Sequence, residues 1–83
     1  PGRIQPRTGT PSFAATPQGI TIHSKTEGAS LGYQVLPTEQ PNHWLIYRDP
    51  IVLSPGQILR AKAIRYGYAE SDVAALGSSH SAE

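Results

Sequence analysis

The chain lacks cysteine and methionine entirely, and it holds a single tryptophan and a single phenylalanine. Without cysteine there is no disulfide framework, no thiolate metal site and no cysteine nucleophile, so burial of apolar side chains is left as the main stabiliser. Long hydrophobic runs are also missing. A bilayer crossing needs roughly 20 consecutive apolar residues, and the 8 Gly and 8 Pro residues break up the apolar stretches, so no membrane span is expected. Nor is there an excess of either charge: 7 Lys and Arg against 6 Asp and Glu give +1, too weak a field for a dedicated nucleic-acid binder. At 83 residues one modest core fits and a second catalytic lobe does not. The chain opens at Pro1 without Met, as a processed or excised piece would, so the lack of a leader carries no information on localisation.

What is present reads as strands and turns. Residues 1–18 carry Pro1, Pro6, Pro11 and Pro17 with Gly2 and Gly9, which discourage helix and central strand; the stretch reads as a linker whose middle, Ser12 to Ala15, can add an edge strand. From Gly19 the run Ile20, Thr21, Ile22, His23 alternates apolar with polar and predicts a strand. After a polar turn containing Gly28, residues Leu31, Tyr33 and Val35 share one face at period two and point to a core. Trp44 to Arg48 and Ile51 to Leu53 predict two further strands divided by Asp49 and Pro50, and Ser54-Pro55-Gly56 predicts a turn. The segment Gln57 to Tyr66 suits helix or strand by propensity. Flanking Gly and Pro, with Leu59, Ala61 and Ala63 alternating against Arg60 and Lys62, decide for a one-sided strand. A last strand is expected from about Ala69 to Ala74 after a Tyr66-Gly67-Tyr68 corner, with one of those tyrosine hydroxyls bonding nearby backbone. Residues 76–83 read as a flexible tail. The architecture expected is therefore an all-β, immunoglobulin-like (fibronectin III-like) antiparallel β-sandwich over residues 19–75.

No catalytic constellation stands out. The carboxylates Glu27, Glu39, Asp49, Glu70, Asp72 and Glu83 fall mostly in expected loops, where solvation is their ordinary state. His43 and His80 have no second ligand at i+2 or i+4, and His23 has only Glu27 at i+4, short of the three or more protein ligands zinc takes, so zinc is not expected, and His23 is expected to serve as a hydrogen-bonding surface residue. The glycines carry no phosphate-binding signature. No catalytic residue, metal or cofactor is expected.

Three stretches carry a resemblance: Thr26-Glu27-Gly28-Ala29-Ser30-Leu31-Gly32-Tyr33, then Tyr47-Arg48-Asp49-Pro50-Ile51, then Ala61-Lys62-Ala63 with Gly67-Tyr68 and Ser71-Asp72-Val73. In this order, over about Gly19 to Ala74, they resemble the fibronectin-III-associated, chitobiase C-terminal-type domain appended to secreted bacterial glycan-degrading enzymes. The wording TIHSKTEGASLGYQV with AKAIRYGYAESD is most similar to the version near the C-terminus of bacterial sulfatases. The resemblance implies a non-catalytic accessory domain whose partner is the catalytic domain of the same parent chain, in the periplasm or outside the cell. A parent of that kind would use a formylglycine made in a C/S-x-P-x-R motif and calcium-binding aspartates, neither of which occurs here. Gly32 and the loop Pro37 to His43 depart from many relatives, which carry an aromatic and an acidic or glycine-rich loop there, so ligand binding by relatives does not carry across.

Six residues are singled out as contacts for a glycan or for a neighbouring domain: His43, Trp44, Arg48, Arg60, Lys62 and Arg65. Trp44 beside a polar loop has the setting of an aromatic that stacks on a sugar, but Trp is highly buried on average and packing is favoured. Arg60 and Lys62 on the outward face, with Arg48 and Arg65 near its ends, would form a cationic strip for a sulfated polysaccharide; against this stands a plain solvated face that guards the sheet from aggregation. An independent carbohydrate-binding module is the competing reading to the accessory domain. A free-standing enzyme and an adhesive sandwich are the remaining classes, since such folds host many functions.

Overall fold

The computed structural model describes residues 6–77. The part of the expected tail beyond Gly77 and the first five residues of the expected linker lie outside them. Among the described residues every regular element is a strand: β1 Ser12–Thr16, β2 Gly19–His23, β3 Ser30–Leu36, β4 Leu45–Ile46, β5 Ile58–Ile64 and β6 Ala74–Gly77. They form two antiparallel sheets, β1-β2 and β4-β3-β5-β6. The all-β, sandwich-type reading of the sequence holds.

Alternation explains the pairing. In β5, Leu59, Ala61 and Ala63 are buried while Arg60 and Lys62 stand on the other face. Antiparallel register sets Tyr33 opposite Ala61 and Val35 opposite Leu59, so each apolar set meets another on the same side. Ile22 from the smaller sheet joins Leu59 and Ala61 in the core, with Phe13, Leu31, Tyr33, Val35, Tyr47 and Leu53 packed around them. Tyr33 and Tyr47 meet edge to face, ring centroids 6.4 Å apart, a geometry in which one ring's positive edge meets the other's negative face. β2 is tied to the segment between β4 and β5 where Ile20 and Ile51 exchange backbone hydrogen bonds of 2.8 and 2.9 Å.

Several elements differ from expectation. The run Trp44 to Arg48 is strand only at Leu45–Ile46, although the Tyr47 N–H reaches the Leu31 carbonyl. Ile51 makes a single bridge in place of the expected Ile51 to Leu53 strand, because β2 begins at Gly19 and the antiparallel register leaves Leu53 with no strand residue opposite it. The last strand begins at Ala74 rather than Ala69: the Ala69 N–H goes to the Pro6 carbonyl, its carbonyl receives Thr8, and the Ser71 N–H goes to Ala63. Those bonds use up the backbone that was expected to start the strand. They also bring in the proline-rich stretch, where Thr8 is 0% exposed, its hydroxyl 2.7 Å from the Ala69 carbonyl, and where the expected edge strand is β1. The tyrosine corner does not form as expected. Tyr66 is 99% exposed, and the Tyr68 hydroxyl accepts from Arg65 (3.1 Å) rather than bonding backbone. Gly67 has φ +84°, which turns the chain so that both rings leave the core. The Ser54-Pro55-Gly56 turn is as expected, with Gly56 at φ +87° and Gln57 N–H bonded to the Ser54 carbonyl.

Candidate functional site

The side chains with most binding chemistry gather on the outer face of the larger sheet. Register sets Gly32 opposite both Ile46 and Lys62, and Gln34 opposite Arg60. Residues directly opposite share a face, and residues two apart on a strand do as well, so Trp44, two before Ile46, comes over Gly32. The approach does not depend on a missing side chain at Gly32. A Cβ built on Gly32 would lie 3.6 Å from the Trp44 Cβ and 3.9 Å from its ring. The indole is half-buried, with the Lys62 Nζ 4.5 Å and the Arg60 Cζ 5.4 Å from a ring centroid. At such range the negative face of an indole attracts a cation.

Gln34 organises the arrangement. It is 3% exposed, and its Nε2 donates to the Pro41 carbonyl (2.6 Å) and the His43 carbonyl (3.0 Å), which fastens the 37–43 loop to the sheet. Its Oε1 accepts from an Arg60 guanidinium N–H at 3.1 Å. Every polar atom of this buried amide is therefore used, as low-dielectric surroundings require. Lys62 faces the exposed Glu70 at 3.4 Å.

The sequence-derived contacts thus divide. His43, Trp44, Arg60 and Lys62 come together, His43 through its backbone carbonyl. Arg48 lies exposed beyond β4. Arg65 follows the core-side parity of Ala61 and Ala63 and stacks on Tyr68, its Cζ 4.5 Å from that ring. Gln34 and Glu70 were missed as members. Gln34 is one polar residue between Tyr33 and Val35, and only the β3 to β5 register shows that it meets Arg60. His23 is exposed, its Nε2 2.8 Å from the Thr21 hydroxyl.

A second feature lies at one end of the sandwich, where an open groove of about 430 Å³ runs between Thr16 and Ile20, the Ile51 to Leu53 segment, and Leu76. Among the described residues none that lines it is charged. Val52 on its wall is 77% exposed. Among the described residues no group of three or more His, Asp or Glu gathers as a metal site, and no helix is long and apolar enough to cross a membrane.

Comparison with known proteins gives one relationship. The chain is 32% identical over 77 residues to an ulvan-active sulfatase of Formosa agariphila, an alignment covering 90% of this chain and 13% of that protein. The chain is accordingly related in sequence to a segment of a sulfatase and spans about 13% of the length of that relative. No family model matches, and no solved structure matches.

Proposed function

We propose that the chain is a non-catalytic accessory domain of the fibronectin-III-associated, chitobiase C-terminal type, belonging to a larger glycan-active hydrolase, a sulfatase, outside the cytoplasm. One observation carries the reading: nine tenths of the chain aligns with about an eighth of a sulfatase, which leaves most of that relative to house the chemistry. The groove supports a packing role. It is open, and its described lining is apolar and uncharged; a surface of this kind gains by meeting another apolar surface. Its occupant on this reading is the remainder of the parent chain. Packing of this sort would hold a catalytic domain by buried area without contributing a reacting group.

The test is made on the parent. The reading frame encoding this chain is expected to carry a C/S-x-P-x-R motif, and its full-length product to release sulfate from a sulfated polysaccharide while the 83-residue chain releases none. A frame without the motif, or sulfate release by the short chain, would overturn the proposal. A second reading, a module that binds sulfated polysaccharide, is favoured by the two cations gathered at Trp44.

A further inference from the structure

Among the described residues Arg60 is a half-buried cation that no carboxylate pairs. Among the described residues the ion pairs are Arg7 with Asp72 and Lys62 with Glu70. Arg60 instead rests against the Trp44 ring and gives one N–H to Gln34, and a guanidinium carries five such donors in a fixed plane. Solvated arginines ordinarily sample many rotamers. This one is held from two sides, by an indole and by an amide that two backbone carbonyls hold in turn. Lys62 lies two residues along the same strand face, roughly 7 Å away by strand geometry, drawn to the same ring. Two like charges this close repel, and Glu70 offsets only the Lys62 side of the pair.

From this geometry we infer that the Arg60 guanidinium, held by Gln34 and Trp44 and flanked by Lys62, is a binding site for an anionic group on a polysaccharide, a sulfate ester or a carboxylate. The planar fork suits two oxygens of such a group, and prior fixing lowers the ordering cost of binding. Trp44 acts as a positioning residue, since its ring holds the cations. The 3.4 Å contact of Lys62 with Glu70 makes Lys62 the weaker partner and Arg60 the anchor. The inference rests on the glycan-binding reading of the domain.

Titration calorimetry of the 83-residue chain with dextran sulfate, polygalacturonate and uncharged dextran at low salt tests it, with thermal melting confirming that each variant folds. At least one polyanion is expected to bind, weakening as salt rises, and uncharged dextran is not. Arg60→Gln should weaken binding about tenfold or more, since a charge-assisted hydrogen bond is worth about that factor. Arg60→Lys, which keeps the charge without the fork, should fall between the two. Arg48→Gln, altering an exposed arginine beyond β4 that is not one of the two cations on Trp44, should lose much less binding than Arg60→Gln. Equal loss in Arg48→Gln and Arg60→Gln would reveal plain polyelectrolyte attraction and overturn the site. Undiminished binding by Arg60→Gln would overturn the site while leaving the glycan-binding reading standing, and no binding of either polyanion by the unaltered chain would remove both.

Discussion

A methyl group placed on Gly19 would lie 2.8 Å from the Ile51 carbonyl oxygen, at φ +131°. The obstacle is backbone, which cannot swing aside as a side-chain tip can, and the dihedral itself disfavours a residue with a Cβ. Gly32 offers the opposite case, because a methyl there meets Trp44 and the Leu45 carbonyl at ordinary contact distances of 3.6 Å. Gly19→Ala is therefore expected to destabilise the fold by about 2 kcal/mol or more. Gly32→Ala should be neutral or stabilising by about 0.5 to 1 kcal/mol, through the smaller entropy lost by the unfolded chain. Urea denaturation of both variants checks the contrast, and a loss in Gly32→Ala as large as that in Gly19→Ala would show that Trp44 needs the space a glycine leaves, against the ordinary contact distances found there. At this scale the single sequence marks Gly28, Gly56 and the alternating β5 residues well, since their roles follow from local dihedral and period. It leaves Gly32 and Gln34 opaque, because each is defined by what lies across the sheet.

The element most dependent on a side chain is the end of β5. Its Ala63 N–H donates to the Ser71 hydroxyl at 2.8 Å, and that hydroxyl donates to the Asp72 carbonyl at 2.8 Å. A serine thus stands in for the ladder partner that β6, beginning at Ala74, does not supply. Both Ala63 and Ser71 are buried, so removing the hydroxyl leaves an amide with neither protein acceptor nor free water. Ser71→Ala is expected to cost about 1 to 3 kcal/mol, read as a lower midpoint in chemical denaturation with an unchanged slope; an unchanged midpoint would show that water reaches Ala63. The Ser71-Asp72-Val73 triplet was expected to sit in the closing strand and instead bridges to it. Local β propensity does not distinguish the two, because it says nothing of which backbone groups are already spoken for by Pro6 and Thr8.

For the whole molecule the decisive surface is the end groove. Val52→Glu sets a charge in a lining whose described residues are apolar and uncharged, at a position that is mostly solvent-exposed in this domain. In the 83-residue chain the change should stay within about 0.5 kcal/mol. In the full-length parent it should lower the melting temperature, since burying an unpaired charge at an interface is costly. Equal melting of altered and unaltered parent would remove the groove from the packing role. By itself the sequence determined an all-β chain with a one-sided β5 and turns at Gly28 and Gly56, since side-chain period and backbone freedom are written residue by residue. Only the tertiary structure decided that Arg60 and Lys62 share an indole, that Arg65 goes elsewhere, and that the proline-rich start is clamped to Ala69. Those outcomes depend on register and on contacts between residues as far apart as Thr8 and Ala69, and neighbouring residues along the chain carry no record of them.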